Sequence, residues 1–197
     1  NLLILFLGYL FGSFPSGYLA GRIVKGVDIR SLGSGSTGAT NVLRHIGKRA
    51  AIIVFFIDVF KGILSILLAK YFLLNDSWQV AIGLSTLVGH IWPVWLNWRG
   101  GKAVATGLGI FLGLSWQVGL ATLGVFILMI LLFRIVSLAS ISAAFALPLI
   151  MFISFNQTNI SLPFLVISLL AMILVFWRHR ENIIRLMKGK EPKIGQN

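Results

Sequence analysis

The chain has 197 residues, 57% of them hydrophobic and only 11% charged, with a formal net charge of +12 and no cysteine. A soluble globular domain carries about 25% charged residues, so this composition excludes that class and points to a single domain, 1–197, threaded through a membrane. The absence of cysteine excludes disulfides, thiolate metal sites and a cysteine-linked acyl intermediate.

A helical span needs about 20 mostly apolar residues. The first run, Leu2–Ala20, contains Gly12-Ser13-Phe14-Pro15-Ser16-Gly17, a small-residue packing face with a proline kink. Positive charge follows this run instead of preceding it, so it reads as an uncleaved span and not as a signal peptide. Next comes Ser31-Leu32-Gly33-Ser34-Gly35-Ser36-Thr37-Gly38-Ala39-Thr40-Asn41-Val42-Leu43-Arg44. Glycines at 33, 35 and 38 let the backbone turn its N–H groups inward. The hydroxyls of Ser34, Ser36, Thr37 and Thr40 add donors, and Arg44 adds a planar fork suited to phosphate oxygens. The bland alternative is a flexible linker.

The second span, Ala50–Tyr71, carries Asp58 and Lys61 three residues apart, which reads as a structural ion pair masking two buried charges. The third, Trp78–Leu96, carries His90, about two turns or roughly 10 Å inside its inner end. Gly100-Gly101-Lys102 then puts backbone amides and an ammonium just before another helix, the logic of a P-loop without its spacing. From Ala103 to Phe133 the apolar stretch is too long for one helix and short for two. With Arg99 and Lys102 before it and Arg134 after it on one side, it must cross twice, with Gly113–Trp116 as a tight outer turn.

Val136–Phe155 and Ile160–Trp177 complete seven spans. Ser137 and Ser140 share a face at the start of the first of these, where helix packing is the ordinary role. Beyond Trp177, His179 and Asn182 lie three apart and share a helix face. A basic anchor for lipid headgroups is the bland reading of that segment.

Charge fixes the expected topology. With the N-terminus outside, one side receives Arg22, Lys25, Arg30, Arg44, Lys48 and Arg49, then Arg99, Lys102 and Arg134, then Arg178, Arg180, Arg185, Lys188, Lys190 and Lys193. Only Lys61 and Lys70 of the 17 Lys+Arg remain elsewhere. The loops LLNDSW, GLSW and FNQTN carry none. This is the positive-inside pattern, so the basic excess calls for no nucleic acid. The C-terminus is then cytoplasmic.

Elimination narrows the chemistry. The five acids, Asp28, Asp58, Asp76, Glu181 and Glu191, are too scattered in sequence for an obvious metal cluster. There is no His-x-x-x-x-Asp and no G-x-S-x-G elbow. What remains is a cationic, hydroxyl-rich surface without metal or covalent nucleophile, able to join phosphorylated compounds only if one arrives activated. A transporter of organic phosphates and a lipid-binding scaffold are the competing classes. Neither an internal repeat nor a midplane site supports the transporter, and a scaffold leaves the glycine-rich loops unexplained.

The set GSFPSGYL, DIRSLGSGSTGATNVLR, GHIWPVWLNWRGGKAVAT, RIVSLASISA and HRENIIRLMKGKE resembles the bacterial acyl-phosphate:glycerol-3-phosphate acyltransferase family, of PlsY type, over nearly the whole chain and in the family's order. The resemblance implies an all-α enzyme of seven transmembrane helices in the inner membrane, working on the cytoplasmic face. It would make lysophosphatidic acid from acyl phosphate and glycerol 3-phosphate, with no cofactor or metal, as a monomer. It implies catalytic roles for Ser34, Arg44, Lys102, Ser140, His179 and Asn182. Substrate-binding roles fall to Gly33, Gly35, Ser36, Gly38, Thr40, Asn41, His90, Gly100, Gly101 and Arg185. Either a histidine or a substrate phosphate oxygen takes the proton of the attacking hydroxyl. Two positions depart from the family pattern. Ser36 stands for asparagine and keeps a hydrogen-bonding group, while Ala103 stands for glycine and costs backbone freedom.

Overall fold

The computed structural model describes residues 1–157 and 161–195, and every regular element among them is helical. The predicted loop at 155–159 and the predicted start of the last span at Ile160 therefore lie partly outside the described residues. Two compact units divide the chain, Asn1–Leu114 and Ser115–Asn197.

The first unit contains α1 (Leu2–Ser13), α2 (Ser16–Lys25), α3 (Ala39–His45), α4 (Lys48–Tyr71), α5 (Asp76–Ile91) and α6 (Val104–Leu114), with single 3-10 turns at Ile29–Ser31 and Val94–Leu96. The first predicted span is thus two helices, interrupted at Phe14-Pro15, because proline has no N–H to donate and its ring disfavours helix in the residue before it. α1 packs on α5, and α4 on α6. Small residues set these distances: a Cβ on Gly12 would meet the Thr86 carbonyl, and one on Gly109 the Val59 carbonyl. Backbones approach this closely only where no side chain intervenes. Ile66, Ile82, Ile91, Ile110 and Phe111 fill the core around the contacts.

One boundary differs in detail from the sequence expectation. α5 stops at Ile91 rather than running to Leu96, because Pro93 cannot continue it. His90 is therefore the penultimate residue of its helix, not two turns inside. The break between α6 and α7 falls at Leu114-Ser115, within the turn expected there. The Lys70 ammonium closes the end of α6 by donating to the Gly113 carbonyl at 2.6 Å.

The second unit contains α7 (Trp116–Phe133), α8 (Val136–Gln157), α9 (Leu162–Arg178) and α10 (Arg180–Met187). α8 packs against both α7 and α9, burying Ala139, Ala143, Ala144, Leu147 and Met151, while α9 buries Ile167 and Ala171. Outward-facing residues are equally apolar; Leu131 on α7 is 74% exposed. A helix apolar all round with its leucines facing outward is stable where the solvent is lipid.

Five stretches are long and apolar enough to cross a bilayer: Leu2–Lys25, Lys48–Tyr71, Asp76–Leu96, Trp116–Phe133 and Val136–Phe155. α9 and α10, bent by 63° at their junction, make a sixth if taken as one span. α6, at 11 residues, is about 16 Å long, short of the roughly 30 Å hydrocarbon core. His179 sits at the α9–α10 bend, as the last cap of one helix and the first of the next. Asn182 stands three residues on, in the first turn of α10 that His179 caps, so the two lie on one helical turn at the corner.

Candidate functional site

In the first unit the polar loop is held by its own asparagine. Asn41, 2% exposed, donates from its side-chain amide to the carbonyls of Ile29, Leu32 and Ser36 at 3.1, 3.0 and 2.9 Å. Its Oδ1 accepts from the Ser34 N–H at 3.4 Å. One buried side chain thus fixes the curvature of residues 32–38, with Ser34 left exposed at the tip and Ser36 and Thr37 buried beneath. Gly33 and Gly35 adopt φ of +54° and +66°. A Cβ on Gly33 would also collide with His45 and Asn41, so glycine is required there on both counts. Ser36 Oγ accepts from the Gly38 N–H at 3.3 Å, so the serine at this position braces the entry to α3. Thr40 and Arg44 follow on α3, Arg44 on its exposed side.

The loop is fastened at its base. Arg30 grips the Asp28 carboxylate with two nitrogens, donates to the Leu96 carbonyl at 2.8 Å and lies 5.2 Å over the Tyr18 ring. The side-chain hydrogen bonds from Arg30 outweigh burial and hold the Asp28 carboxyl below its ordinary range. The 3-10 turn before the first loop is thereby tied to the 3-10 turn before Gly100.

At that second loop the double glycine has a different use from the one its sequence suggests. The Gly100 and Gly101 N–H groups donate to the Ile91 and His90 carbonyls at 3.1 and 3.0 Å, satisfying acceptors that the end of α5 leaves open. Both amides face the helix behind them. A Cβ on either residue would run into His90, its carbonyl at Gly100 and its ring at Gly101. The cationic group presented here is Lys102, half-buried two residues before α6, near the positive end of that helix.

Ala103 beside it is 4% exposed with φ +60°, the left-handed region where an alanine costs about 1–2 kcal/mol. The cost expected at this departure from the family pattern is visible in the backbone. Ala103→Gly is accordingly expected to stabilise the protein by about 1 kcal/mol, raising the unfolding midpoint by about 2–4 °C. A thermal-unfolding comparison in detergent checks it.

The second unit holds Ser140, His179, Asn182 and Arg185. Ser140 Oγ donates back to the Val136 carbonyl at 2.9 Å. The His179 ring is 2.8 Å from the Val175 carbonyl through Nδ1; a carbonyl only accepts, so Nδ1 carries the proton. His179, Asn182 and Ser140 are all buried. Asn182 and Arg185 converge on Glu191, one of the acids scattered in sequence. Its Oε1 accepts from Ser137 Oγ at 2.8 Å and Asn182 Nδ2 at 2.6 Å, and its Oε2 from Arg185 Nε at 2.7 Å. Burial works against the charge of Glu191, but the hydrogen bonds from Asn182, Ser137 and Arg185 prevail and hold its pKa below the ordinary value. The one available signal was a lone acid inside the basic stretch Lys188–Lys193. Among the described residues no three His, Asp or Glu side chains gather to hold a metal ion.

Fold and residues together define the class: an all-helical integral-membrane protein presenting loops built from glycine, hydroxyls and cations. Three comparisons refine it. The family model for glycerol-3-phosphate acyltransferase matches residues 2–189. The glycerol-3-phosphate acyltransferase of Prochlorococcus marinus strain NATL1A is 87% identical over all of this chain and 99% of its own length, and that of strain SARG 64% identical over 100% and 95%. The crystal structure of PlsY, an integral membrane glycerol 3-phosphate acyltransferase, in its glycerol 3-phosphate form superposes with a TM-score of 0.92 at 38% identity, over 98% of this chain and 95% of that one. Its lysophosphatidic acid form gives 0.89. The chain belongs to the glycerol-3-phosphate acyltransferase family, of PlsY type.

Proposed function

We propose that the chain transfers a fatty acyl group from acyl phosphate to the sn-1 hydroxyl of glycerol 3-phosphate, giving lysophosphatidic acid and inorganic phosphate. The hydroxyl oxygen bonds to the acyl carbon, the bond from that carbon to the phosphate oxygen breaks, and phosphate departs with the bonding pair. The hydroxyl proton passes to a phosphate oxygen of bound substrate. Because the donor arrives activated, the protein's work is to hold two anions and stabilise the charge that develops between them.

In this reading Arg44 and Lys102 supply cations, and the Ser34 tip of the loop shaped by Gly33, Gly35, Gly38 and Asn41 supplies donors. Ser140, His179, Asn182 and Arg185 are required for the same reaction. Both units serve as one acyltransferase domain of seven spans, with α6 counted as one, the N-terminus outside and the C-terminus cytoplasmic. The protein works as a monomer on the cytoplasmic face of the inner membrane. The observation that carries the reading is the end-to-end likeness to PlsY in its glycerol 3-phosphate form.

The test uses the purified protein in detergent with acyl phosphate and glycerol 3-phosphate, without added metal. Phosphate release and an sn-1 acylated product are expected. Acylation from an acyl thioester but not from acyl phosphate would overturn the choice of donor.

A further inference from the structure

The most buried charges in the first unit lie outside the cationic loops. The Asp58 carboxylate, 1% exposed, takes three neighbours on one oxygen: Ser16 Oγ at 2.8 Å, Lys61 Nζ at 2.8 Å and His90 Nδ1 at 3.7 Å. Lys61 also donates to the Phe14 carbonyl at 3.2 Å, and Thr106 Oγ1 lies 3.1 Å from the same His90 nitrogen. If the pair only neutralised itself, Asp58 and Lys61 would suffice. Instead each of its neighbours stands where a helix breaks or a loop begins.

Phe14 and Ser16 are the two sides of the α1–α2 interruption. Gly17, next to Ser16, is so close to residues 33–38 that a Cβ there would run into the Thr37 carbonyl. On the other side, His90 carries the second loop. Its carbonyl accepts from Gly101, its ring lies where a Gly101 side chain would be, and Thr106 belongs to the helix that Lys102 precedes. A single buried carboxylate is thus in contact with the supports of both loops.

We propose that Asp58, with Lys61, is a positioning residue that sets the two anion-handling loops of this unit at their working separation, acting through Ser16 on one and His90 on the other. It touches no substrate. Buried polar networks specify one arrangement when every member is satisfied, and groups one step behind a ligand set fix its orientation. The proposal rests on the acyltransferase reading above for what the loops hold.

The test replaces the pair by apolar side chains of similar size, Asp58→Leu with Lys61→Met. Such exchanges leave no unpaired buried charge and are often neutral or stabilising. The variant is expected to keep the parent's unfolding midpoint or exceed it. Its KM for glycerol 3-phosphate should rise at least about tenfold, and its kcat should fall by a similar factor, as transition-state contacts loosen with ground-state ones. A folded variant with both constants within about threefold of the parent would overturn the proposal, because a merely structural pair has been replaced by an equivalent one.

Should the double variant fail to fold, Ser16→Ala and Thr106→Val remove one contact on each side. Each is expected to raise KM, and together they should depart from additivity, as residues sharing one network do. Unchanged KM values, or simple additivity, would overturn it. Calorimetric titration with glycerol 3-phosphate gives the same reading without an acyl donor. A parent inactive with acyl phosphate would therefore count against the proposed reaction, while the weakened glycerol 3-phosphate binding of the variants decides the role of Asp58.

Discussion

Lys102→Ala is expected to lower kcat/KM by at least about 10²–10³-fold, the usual cost of removing one preorganised group that stabilises developing charge. The half-buried lysine precedes α6, so alanine removes an ammonium without emptying the core, and the unfolding midpoint should hardly move. Steady-state kinetics in both substrates locate the loss. A rise in KM for glycerol 3-phosphate at constant kcat would mean that Lys102 binds ground and transition states alike, whereas equal falls in kcat and kcat/KM would assign it to the transition state. Lys102→Arg keeps the charge but changes a compact ammonium into a planar fork, and is expected to recover only part of the activity. Full activity of Lys102→Ala would remove this residue from the site.

The hydropathy pattern was legible because a bilayer sets the length of its helices. Lys48–Tyr71 and Val136–Gln157 fall within a few residues of the runs read from the sequence, since twenty apolar residues have few other ways to satisfy their backbone. The ion pair of Asp58 and Lys61 was also legible, three apart and unmasked by any other charge nearby in sequence. Local chemistry gave the small-residue face of α1, whereas the cost at Ala103 was legible only through the resemblance, as an alanine where the family pattern has glycine.

What was not legible depends on contacts between distant residues. Ser16 meets Asp58 across 42 positions and Ser137 meets Glu191 across 54; no spacing rule reaches that far. The use of Gly100 and Gly101 illustrates the same limit. As sequence, a double glycine before a lysine suggests amides aimed at an anion. In the fold those amides turn back to close α5, because Pro93 ends that helix early and leaves its carbonyls in need of donors. The bend at His179 was hidden for a different reason: the apolar run ends at Trp177, but Arg178–Asn182 carries no proline or glycine to mark a break in the helix.

Glu191→Ala is expected to destabilise the second unit more than any other single replacement of an acid there. Alanine would leave Ser137, Asn182 and Arg185 without the carboxylate that now accepts from all three. Removing one partner of a buried pair costs about 3–5 kcal/mol, and the lower end applies because Arg185 is 36% exposed. That is enough to lower the unfolding midpoint by about 6–12 °C for a chain of this size. Activity should fall with it, as Asn182 and Arg185 lose their common anchor at the α9–α10 corner.

The dependence on pH separates charge from shape. The folded state holds the Glu191 carboxyl below its ordinary value, so it favours the ionised form. The stabilisation is complete above the unfolded-state value of about 4.3 and is lost as pH falls through the lower folded one. Glu191→Gln keeps the size and an acceptor but cannot ionise. The gap in unfolding midpoint between parent and Glu191→Gln should therefore be constant from about pH 7 to 5 and close below about 4.3. A gap that persists undiminished at pH 3 would mean that shape alone matters at this position, and the charged contacts with Arg185 and Asn182 would lose their place in the account.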